Sequence, residues 1–449
     1  MTLDARGVDR RGLDTGLLLA VGMLVALGIG MVYSASFVVA HNDFGDDTYF
    51  LVRHVIWIAI GLVSLAITSR LDYHLWQRFA VPLFCLSLAL LVLVLIPGIS
   101  TSNYGASRWF SLGTFLSLQP SEFAKLAIVI YLAAWISRVG GDIHGITFGT
   151  IPFVLIISII AGLVLIEPDV GTTIVIVLTA ASMFFLGGAN VLHALLGAII
   201  GCLFLLKFVT GGGGYKADRL EAFLDPWADP SGIGWHTTQT LVALGSGGFA
   251  GLGLGASRQK YYFLPNAHTD SIFAIVGEEI GFIGTMLVLA LFLYVAWRGL
   301  SIAFSARDNF GRSLAAGATL LIAWQALLNM AVVSNVVPNT GVPLPFLSFG
   351  GSSMVVSMTA IGIVLSISRS VSGEQSSLRK LLLGAPTPEL SGVSRVTAAA
   401  GNGALASAPR SAQPRRLRLS RSASRDGARA RSPARAPAAR RHTVLISGK

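Results

Sequence analysis

The chain has 449 residues, of which 53% are hydrophobic and only 12% are charged, and its formal net charge is +11. Soluble domains carry about 25% charged residues, so this composition excludes a soluble globular protein and indicates an integral membrane protein. The positive charge belongs to the C-terminal segment 371–449, which holds 15 of the 33 Lys and Arg residues and 3 of the 22 acidic residues.

Ten apolar runs are predicted to cross the membrane as helices, because a spanning helix needs about 20 mostly apolar residues. The first run follows several arginines, as the core of a secretory signal would. Its apolar stretch at 16–32 is longer than the usual signal core of about 7 to 15 residues, so we predict an uncleaved first span. The predicted spans are 15–38, 52–69, 79–97, 120–137, 149–166, 170–188, 190–209, 271–297, 312–334 and 349–369.

The charges in the connections predict the orientation of these spans. If residue 1 lies inside, each inner connection longer than a few residues holds arginine. The first outer connection, at 41–47, holds no Lys or Arg. Because Lys and Arg are in excess in cytoplasmic connections, we predict an even number of spans with both termini in the cytoplasm. The inner arginines are Arg70, Arg78, Arg138, Arg298, Arg307 and Arg312.

A polar cluster marks the outer end of the predicted fourth span. Pro120 suits the first turn of a helix, and Glu122 and Lys125 lie three residues apart on one helix face, where they can pair. Charges inside a membrane are costly and mark functional candidates. The pair is therefore interpreted either as an ion pair that stabilises helix packing or as a cation placed near an anionic lipid.

Glu167, Pro168 and Asp169 form the tight outer turn between the predicted fifth and sixth spans. Asp169 is placed to cap the sixth span. Both carboxylates are interpreted either as turn and cap residues or as functional acids.

The large outer connection at 210–270, between the predicted seventh and eighth spans, has the composition of a working surface. It contains the glycine run 211–214, two tryptophans and the aromatic patch 261–264 beside residues of both charges. Long loops inside compact domains are usually functional, so we place the functional surface on this side.

The strongest candidate is Asp270, at the outer boundary of the predicted eighth span, where a carboxylate can meet both lipid headgroups and water. Glu278 and Glu279 lie eight and nine residues later, about 12 Å along a helix that rises about 1.5 Å per residue, and need partners at that depth. Adjacent helical residues point about 100° apart, so we expect at most one of these glutamates to face the same cavity as Asp270. The alternative for Asp270 is a helix-capping role.

Three prolines at 338, 343 and 345 predict a rigid, non-helical segment before the last span. At membrane depth such a segment is tolerated only where it is buried in protein or lines a cavity. We therefore predict a re-entrant cavity wall, continued by Ser348 and the Gly-Gly-Ser-Ser run 350–353.

The tail at 371–449 is rich in Ala, Pro, Ser, Gly and Arg and lacks helical periodicity, so we predict a disordered segment. It is interpreted either as a solvated tail held near anionic lipid headgroups or as a docking segment for a cytoplasmic partner.

No cofactor is predicted from the sequence. Cys85 and Cys202 lie in apolar runs, the histidines lack metal-ligand spacing, and no βαβ unit surrounds the glycines at 251–255 that superficially suggest a dinucleotide fingerprint. A divalent cation is possible, but the sequence shows no dedicated site for one.

These motifs resemble the SEDS family (shape, elongation, division and sporulation) of polytopic peptidoglycan polymerases over about residues 15–370. They are closer to the division branch than to the elongation branch. Ser271 departs from the family pattern, which often has Phe after the motif aspartate. The motifs are Arg108–Phe110, Gln119–Ala127, Glu167–Thr172, Gly253–Glu279 and Pro343–Ser353.

The resemblance implies an all-α polytopic membrane protein with a ten-helix domain at 1–370, and polymerisation of lipid II, the undecaprenyl-diphosphate-linked disaccharide peptide, outside the cytoplasmic membrane. The family's essential aspartate corresponds to Asp270. We expect Asp270 to act as the general base for the acceptor's 4-hydroxyl while the donor's anomeric centre is inverted. The expected substrate-binding residues are Arg108, Glu122, Lys125, Arg219, Lys260, Glu278 and Ser348.

The resemblance also implies a class B penicillin-binding protein as partner, since the polymer must be crosslinked, and a location at the division septum. Other division proteins are partners under the docking interpretation of the tail. The expected partners further include membrane lipids and no nucleic acid. Alternatives are a lipid II flippase, an elongation polymerase, and a scaffold that only recruits a transpeptidase. The flippase is less favoured, because transporters bind their substrates near the membrane midplane between paired repeats with broken helices, whereas these clusters lie toward the outer face. The scaffold is less favoured, because it leaves the charged clusters without a function.

Overall fold

A computed structural model gives the fold of most of the predicted membrane domain. It describes residues 14–96, 101–103, 106–112, 116–190, 192, 193, 197, 201 and 215–382. Most of the predicted seventh span, and the predicted tail from residue 383 onward, lie outside the described residues.

Helices make up most of the described structure, and most of them coincide with an apolar run. A 3-10 turn at Gly140–His144 and a π turn at Ile146–Thr150 join two of them. The α helices are α1 Thr15–Phe44, α2 Tyr49–Arg70, α3 His74–Val94, α4 Pro120–Val139, α5 Ile151–Ile166, α6 Val170–Leu186, α7 Tyr215–Leu224, α8 Trp235–Ser246, α9 Ile272–Ser305, α10 Asn309–Val333 and α11 Gly351–Leu382.

Eight helical stretches among the described residues are long and apolar enough to cross a membrane, and α6 is apolar but shorter. Together they coincide with every predicted span except the seventh. The predicted all-α polytopic membrane fold is confirmed. The large connection between the predicted seventh and eighth spans contains the two short helices α7 and α8.

The predicted outer connections lie together at one end of the helix bundle. Tyr262 donates from its hydroxyl to Asp43 at 3.0 Å, Arg219 donates to the carbonyl of Asn339 at 2.9 Å, and the amide of Phe349 donates to a carbonyl of the large connection at 2.9 Å. These bonds join the connections 41–48, 215–271 and 334–350, and we call this end of the bundle the site end.

The predicted inner connections lie together at the opposite end. Asp14 accepts from Arg298 Nε at 2.6 Å and caps α1 by accepting from the amide of Leu17 at 3.0 Å. Tyr73 donates from its hydroxyl to Asp308 at 2.6 Å. The grouping of the connections therefore agrees with the predicted order of spans.

Helices α4, α10 and α11 are the most buried of the spanning helices that the structure describes. In the most apolar stretch of each, 61%, 67% and 67% of residues are buried, compared with 17% in α2 and 22% in α3. The burial of α4 and α10 follows from the sequence, because they carry Lys125, Gln325 and Asn329, which need protein partners at membrane depth.

Helices α2 and α11 pack closely through small residues. A methyl group at Gly351 would lie 2.1 Å from Trp57, and one at Gly362 would lie 1.9 Å from Thr68 Oγ1. Ser64 and Thr359 share a hydrogen bond of 2.7 Å between their hydroxyls. Small residues let helix backbones approach and let such polar contacts form in a membrane.

Two features were not predicted from the sequence. The connection between α3 and α4 contains a three-stranded antiparallel sheet of β1 Thr101–Asn103, β2 Ala106–Leu112 and β3 Leu116–Leu118, since short strand pairing depends on context. Helix α11 continues past residue 370, the predicted end of the membrane domain, to Leu382, because the residues there include good helix formers.

Candidate active site

Asp270 lies near the end of the large connection, two residues before the first residue of α9, Ile272. Its carboxylate accepts from the Thr269 hydroxyl at 3.0 Å, and its backbone carbonyl accepts from Asn329 Nδ2 at 2.8 Å. The N-cap position belongs to the next residue, Ser271, so no bond from the first turn of α9 holds the carboxylate in a capping role. The Asp270 side chain is half-buried and stays accessible from the site end.

Asp270 lines a small pocket that opens at the site end. Gly341 comes close to the Asp270 carboxylate, since a methyl group there would lie 3.7 Å from Asp270 Oδ2. The walls come from the large connection, α8, α10 and the proline-rich segment. The lining residues are His236, Thr237, Thr240, Asp270, Ser271, Val332, Val333, Asn335 and Asn339.

His236 and Asn339 belong to this pocket, although the sequence analysis did not single them out. His236 Nε2 lies 3.0 Å from Ser271 Oγ, and His236 Nδ1 lies 2.9 Å from Asn339 Nδ2. Burial lowers the pKa of His236; the charge of Asp270 raises it and the charge of Arg219 lowers it. A histidine near a carboxylate is a signal for a site, but only the fold brings these residues together.

Arg219 supplies positive charge next to this pocket. It lies on α7, and its Nη1 donates to the backbone carbonyl of Asn339 at 2.9 Å. A guanidinium offers several donors in a planar fork that suits phosphate oxygens. Of the predicted cations, Arg219 is the one whose described contacts include a residue that lines the Asp270 pocket, Asn339.

Glu122 and Lys125 pair as predicted, but inside the bundle. Lys125 Nζ donates to Glu122 Oε1 at 2.8 Å and to Gln325 Oε1 at 2.6 Å, and both charged side chains are almost fully buried. Gln325 in turn donates to the carbonyl of Pro343 at 3.0 Å. This network ties α4 and α10 to the proline-rich segment, so the contacts favour the structural interpretation; the predicted substrate contact stays a prediction.

Lys260 and the glutamates of α9 form a second buried cluster. Lys260 Nζ lies 3.2 Å from Glu279 Oε1 and donates to the carbonyl of Gly255 at 2.5 Å. Glu278 accepts from the Ser257 hydroxyl at 2.5 Å, and neither glutamate lines the Asp270 pocket. The expectation that these carboxylates need partners is confirmed, and the binding roles of Lys260 and Glu278 stay predictions.

Glycines bring this cluster together. At Gly281, inside α9, the backbone leaves the helical conformation with φ 76° and ψ −164°, a region that is essentially restricted to glycine. A methyl group at Gly251 would lie 2.2 Å from the carbonyl of Glu279. The glycines at 247–255 thus let the loop lie against the break in α9.

Arg108 and Glu167 meet at a third place on the site end. Arg108 donates from Nε to the carbonyl of Glu167 at 2.8 Å and from Nη2 to the carbonyl of Pro168 at 2.5 Å, so it binds two carbonyls of the turn that follows α5. Asp169 caps α6, as predicted, by accepting from the amide of Thr172 at 3.0 Å.

The Glu167 carboxylate is buried without a hydrogen bond in the described part of the chain. The residue is 1% exposed, and neither carboxylate oxygen has a hydrogen-bond partner there. Burial, reinforced by the charge of Asp169 and opposed by Arg108, raises the pKa of Glu167 to about 8. At neutral pH this carboxyl group is therefore mostly protonated.

The proline-rich segment is non-helical and packed into the bundle, as predicted. Val342, Leu344 and Phe346 are each at most 3% exposed. The carbonyl of Val342 accepts from Asn329 Nδ2 at 2.7 Å, and Ser348 Oγ accepts from the amide of Leu344 at 2.8 Å. Ser348 thus stabilises the turn of the segment, and its predicted contact with substrate stays a prediction.

Among the described residues, no group of three or more His, Cys, Asp or Glu side chains is placed to hold a metal ion. The site end therefore offers a carboxylate and a histidine that line one pocket, and an arginine that is bonded to a residue of its wall. This set can accept a proton and bind an anion.

The family model described as cell cycle protein, FtsW, RodA and SpoVE, matches residues 15–373. The chain is 44% identical over 355 residues to the probable peptidoglycan glycosyltransferase FtsW of Trichlorobacter lovleyi, covering 79% of this chain and 93% of that protein. It is 39% identical over 356 residues to the stage V sporulation protein E of Bacillus subtilis, covering 79% and 97%.

Two solved structures share the fold. A chain of a peptidoglycan synthase complex, solved to describe the structural coordination of polymerization and crosslinking, is 28% identical with a TM-score of 0.67, covering 80% of this chain and 98% of that chain. The rod shape determining protein RodA of Thermus thermophilus is 26% identical with a TM-score of 0.59, covering 80% and 97%.

Proposed function

The chain belongs to the FtsW, RodA and SpoVE family of cell cycle proteins, and on that premise we propose that it polymerises lipid II at the site end of the bundle. It is a multi-pass membrane protein and a peptidoglycan glycosyltransferase, the activity for which its FtsW relatives are named. The proposed setting is the outer side of the cytoplasmic membrane at the division septum, with both termini in the cytoplasm.

The observation that carries the proposal is the open, half-buried carboxylate of Asp270 beside Arg219 and His236. In the proposed step, the acceptor's 4-hydroxyl oxygen attacks the donor's anomeric carbon, and the proton of that hydroxyl passes to Asp270. The bond from the anomeric carbon to the diphosphate breaks, and the undecaprenyl diphosphate leaves with the bonding electrons. The leaving group is already activated, so Asp270 has only to remove the proton while the pocket orients two lipids.

We propose that Arg219 binds the diphosphate of a lipid substrate, because its guanidinium donates to the carbonyl of Asn339, a residue that lines the Asp270 pocket. A fixed cation at a departing phosphate stabilises the charge that develops there. Arg219 and Arg108 both donate to backbone carbonyls, and Lys125 and Lys260 pair with buried carboxylates. Of these four cations, Arg219 is the one bonded to a residue that lines the Asp270 pocket, and the contacts of the other three support a role in shaping the site end.

The proposed partner is a class B penicillin-binding protein. A chain similar to this one occurs in a peptidoglycan synthase complex that coordinates polymerization and crosslinking. A polymerase that releases uncrosslinked glycan needs a crosslinking enzyme close by, and a shared complex would supply it.

The test is polymerisation of purified lipid II by the protein purified together with its partner. We expect Asp270→Asn and Asp270→Ala to lower the rate of glycan formation by at least about 100-fold, the lower range for loss of a general base. Asp47→Asn is the matched control, because Asp47 is an exposed aspartate of the site end that pairs with His41. Glycan length on gels reports the product.

Three outcomes would contradict the proposal in different ways. Equal polymer from Asp270→Asn and wild type would show that Asp270 is not the base. Lipid II movement across vesicles without any polymer would identify a flippase. A wild-type protein that binds its partner but neither polymerises nor moves lipid II would be a scaffold.

A further inference from the structure

His236, the second residue of α8, connects two walls of the Asp270 pocket. One ring nitrogen faces Ser271, the residue after Asp270, at 3.0 Å. The other faces Asn339 of the proline-rich segment at 2.9 Å. The chain distances are 35 and 103 residues, so the imidazole is a cross-link between separate parts of the fold.

The neighbouring bonds fix the direction of these contacts. Asn339 Oδ1 accepts from the amide of Gly341 at 3.1 Å, which leaves Asn339 Nδ2 as the group that faces the ring and donates to His236 Nδ1. The ring proton is then on Nε2 and donates to Ser271 Oγ. This arrangement requires a neutral imidazole with one donor and one acceptor.

The cross-link joins the carboxylate side of the pocket to its cationic side. Ser271 adjoins Asp270, whose carbonyl is held by Asn329 at 2.8 Å. Asn339 holds Arg219 through its backbone carbonyl at 2.9 Å. A change at the imidazole would therefore alter the spacing between Asp270 and Arg219 without touching either residue's own side-chain chemistry.

We propose that His236 is a positioning residue that sets the distance between the base Asp270 and the phosphate-binding Arg219; this inference rests on the proposed function. Both ring nitrogens are engaged with protein, so the imidazole acts through Ser271 and Asn339. Protonation turns Nδ1 into a donor that faces the donor amide of Asn339, which breaks the cross-link. The charged groups that act on the ring are Asp270, before α9, and Arg219, on α7.

The test compares His236→Ala with His236→Gln. A glutamine amide carries one acceptor and one donor at a spacing close to that of the ring nitrogens, and it does not titrate. We expect His236→Ala to lower kcat for lipid II polymerisation by about 100-fold, the cost of a displacement near 1 Å, with a smaller change in KM. His236→Gln restores most of the lost kcat, and its rate falls less steeply than that of wild type as the pH is lowered.

The matched control is His41→Gln, because His41 is an exposed histidine of the site end; it keeps the wild-type rate and pH profile. Full activity of His236→Ala would overturn the proposal. Equal loss in His236→Gln and His236→Ala, with wild-type melting temperatures, would also overturn it, since the imidazole would then have a chemical role.

A second measurement does not depend on activity and separates this inference from the proposed function. A double-mutant cycle of His236→Ala and Asn339→Ala is followed by thermal unfolding in detergent. We expect coupled effects, because both residues form one bridge. Additive effects on the melting temperature would overturn the cross-link, even if polymerisation requires Asp270. Coupled effects would support the cross-link, even if the Asp270→Asn variant still polymerises lipid II.

Discussion

Glu167 and Asp270 are both carboxylates of the site end, but the fold surrounds them differently. Asp270 is half-buried at an open pocket and accepts a hydrogen bond from Thr269. Glu167 is buried beside Asp169, and this burial raises its pKa to about 8. The first carboxylate is available for chemistry with a substrate, whereas the second one is held as an acid inside the protein.

We predict that Glu167 makes the protein less stable as the pH rises. A raised pKa means that the folded state binds this proton more tightly than the unfolded state, so the stabilisation is complete below the unfolded value near 4.5 and is lost as the pH rises through about 8. Glu167→Gln cannot lose a proton, and we expect its melting temperature to exceed that of wild type by at least about 2 °C near pH 8. The difference shrinks toward about pH 5.

The control for Glu167 is Glu221→Gln, which removes an exposed carboxylate of α7 and reports the effect of a lost surface charge alone. Parallel melting curves for Glu167→Gln and wild type from about pH 5 to 8 would show that this carboxyl group does not titrate in that range.

Single residues differ in how far the sequence reveals them. Asp270 could be predicted because a carboxylate at a membrane boundary is unusual and lies in a recognisable motif. His236 could not be predicted, because its role depends on Ser271 and Asn339, and the sequence gives no sign that these three meet. The sequence also gives no sign that Lys260 pairs with Glu279, 19 residues away, and the predicted contact of Lys260 with substrate stays a prediction.

At the scale of elements, the break in α9 lets the glycine-containing loop 247–255 pack against this helix. The backbone at Gly281 has φ 76° and ψ −164°, and the amides of Leu252 and Gly253 donate to the carbonyls of Glu278 and Glu279 at 2.9 and 3.0 Å. These bonds satisfy carbonyls at the break and hold the loop that carries Lys260.

We predict that Gly281→Ala destabilises the protein. A methyl group would lie 2.3 Å from the amide nitrogen of Gly251, and the backbone conformation alone costs about 1–3 kcal/mol for a residue other than glycine. Gly30→Ala in α1 is the matched control, because a methyl group there meets nothing within 4 Å and alanine favours a helix. Thermal unfolding in detergent measures both; a wild-type melting temperature for Gly281→Ala would contradict the strained backbone.

Most helices could be predicted from the sequence, because an apolar run of spanning length leaves few alternatives in a membrane. The described bounds agree with the predicted spans within a few residues at most ends. The extensions of α1 to Phe44 and of α11 to Leu382 could not be predicted from hydropathy, since helices continue into water wherever capping and propensity allow. The β strands could not be predicted either, because their pairing depends on the bundle that supports them.

At the scale of the whole molecule, the described connections fall into two groups at opposite ends of the bundle, and we predict that the site end faces outward. In a background with Cys85→Ala and Cys202→Ala, an impermeant maleimide should label Asp47→Cys on intact cells. It should label Asp72→Cys only after the cells are opened. Both aspartates are exposed and lie at opposite ends, so a reversed pattern would place the pocket in the cytosol and contradict the proposed function.

The contact between α2 and α11 has a consequence for how the protein is made. Helix α2 leaves the ribosome early, whereas its glycine-lined neighbour α11 is the last described element to be translated. Until then the face around Gly61 and Ser64 has only lipid or the insertion machinery to cover it. This contact therefore forms only after α11 has been inserted, and a nascent chain truncated before Gly351 would leave this face of α2 accessible to membrane proteases.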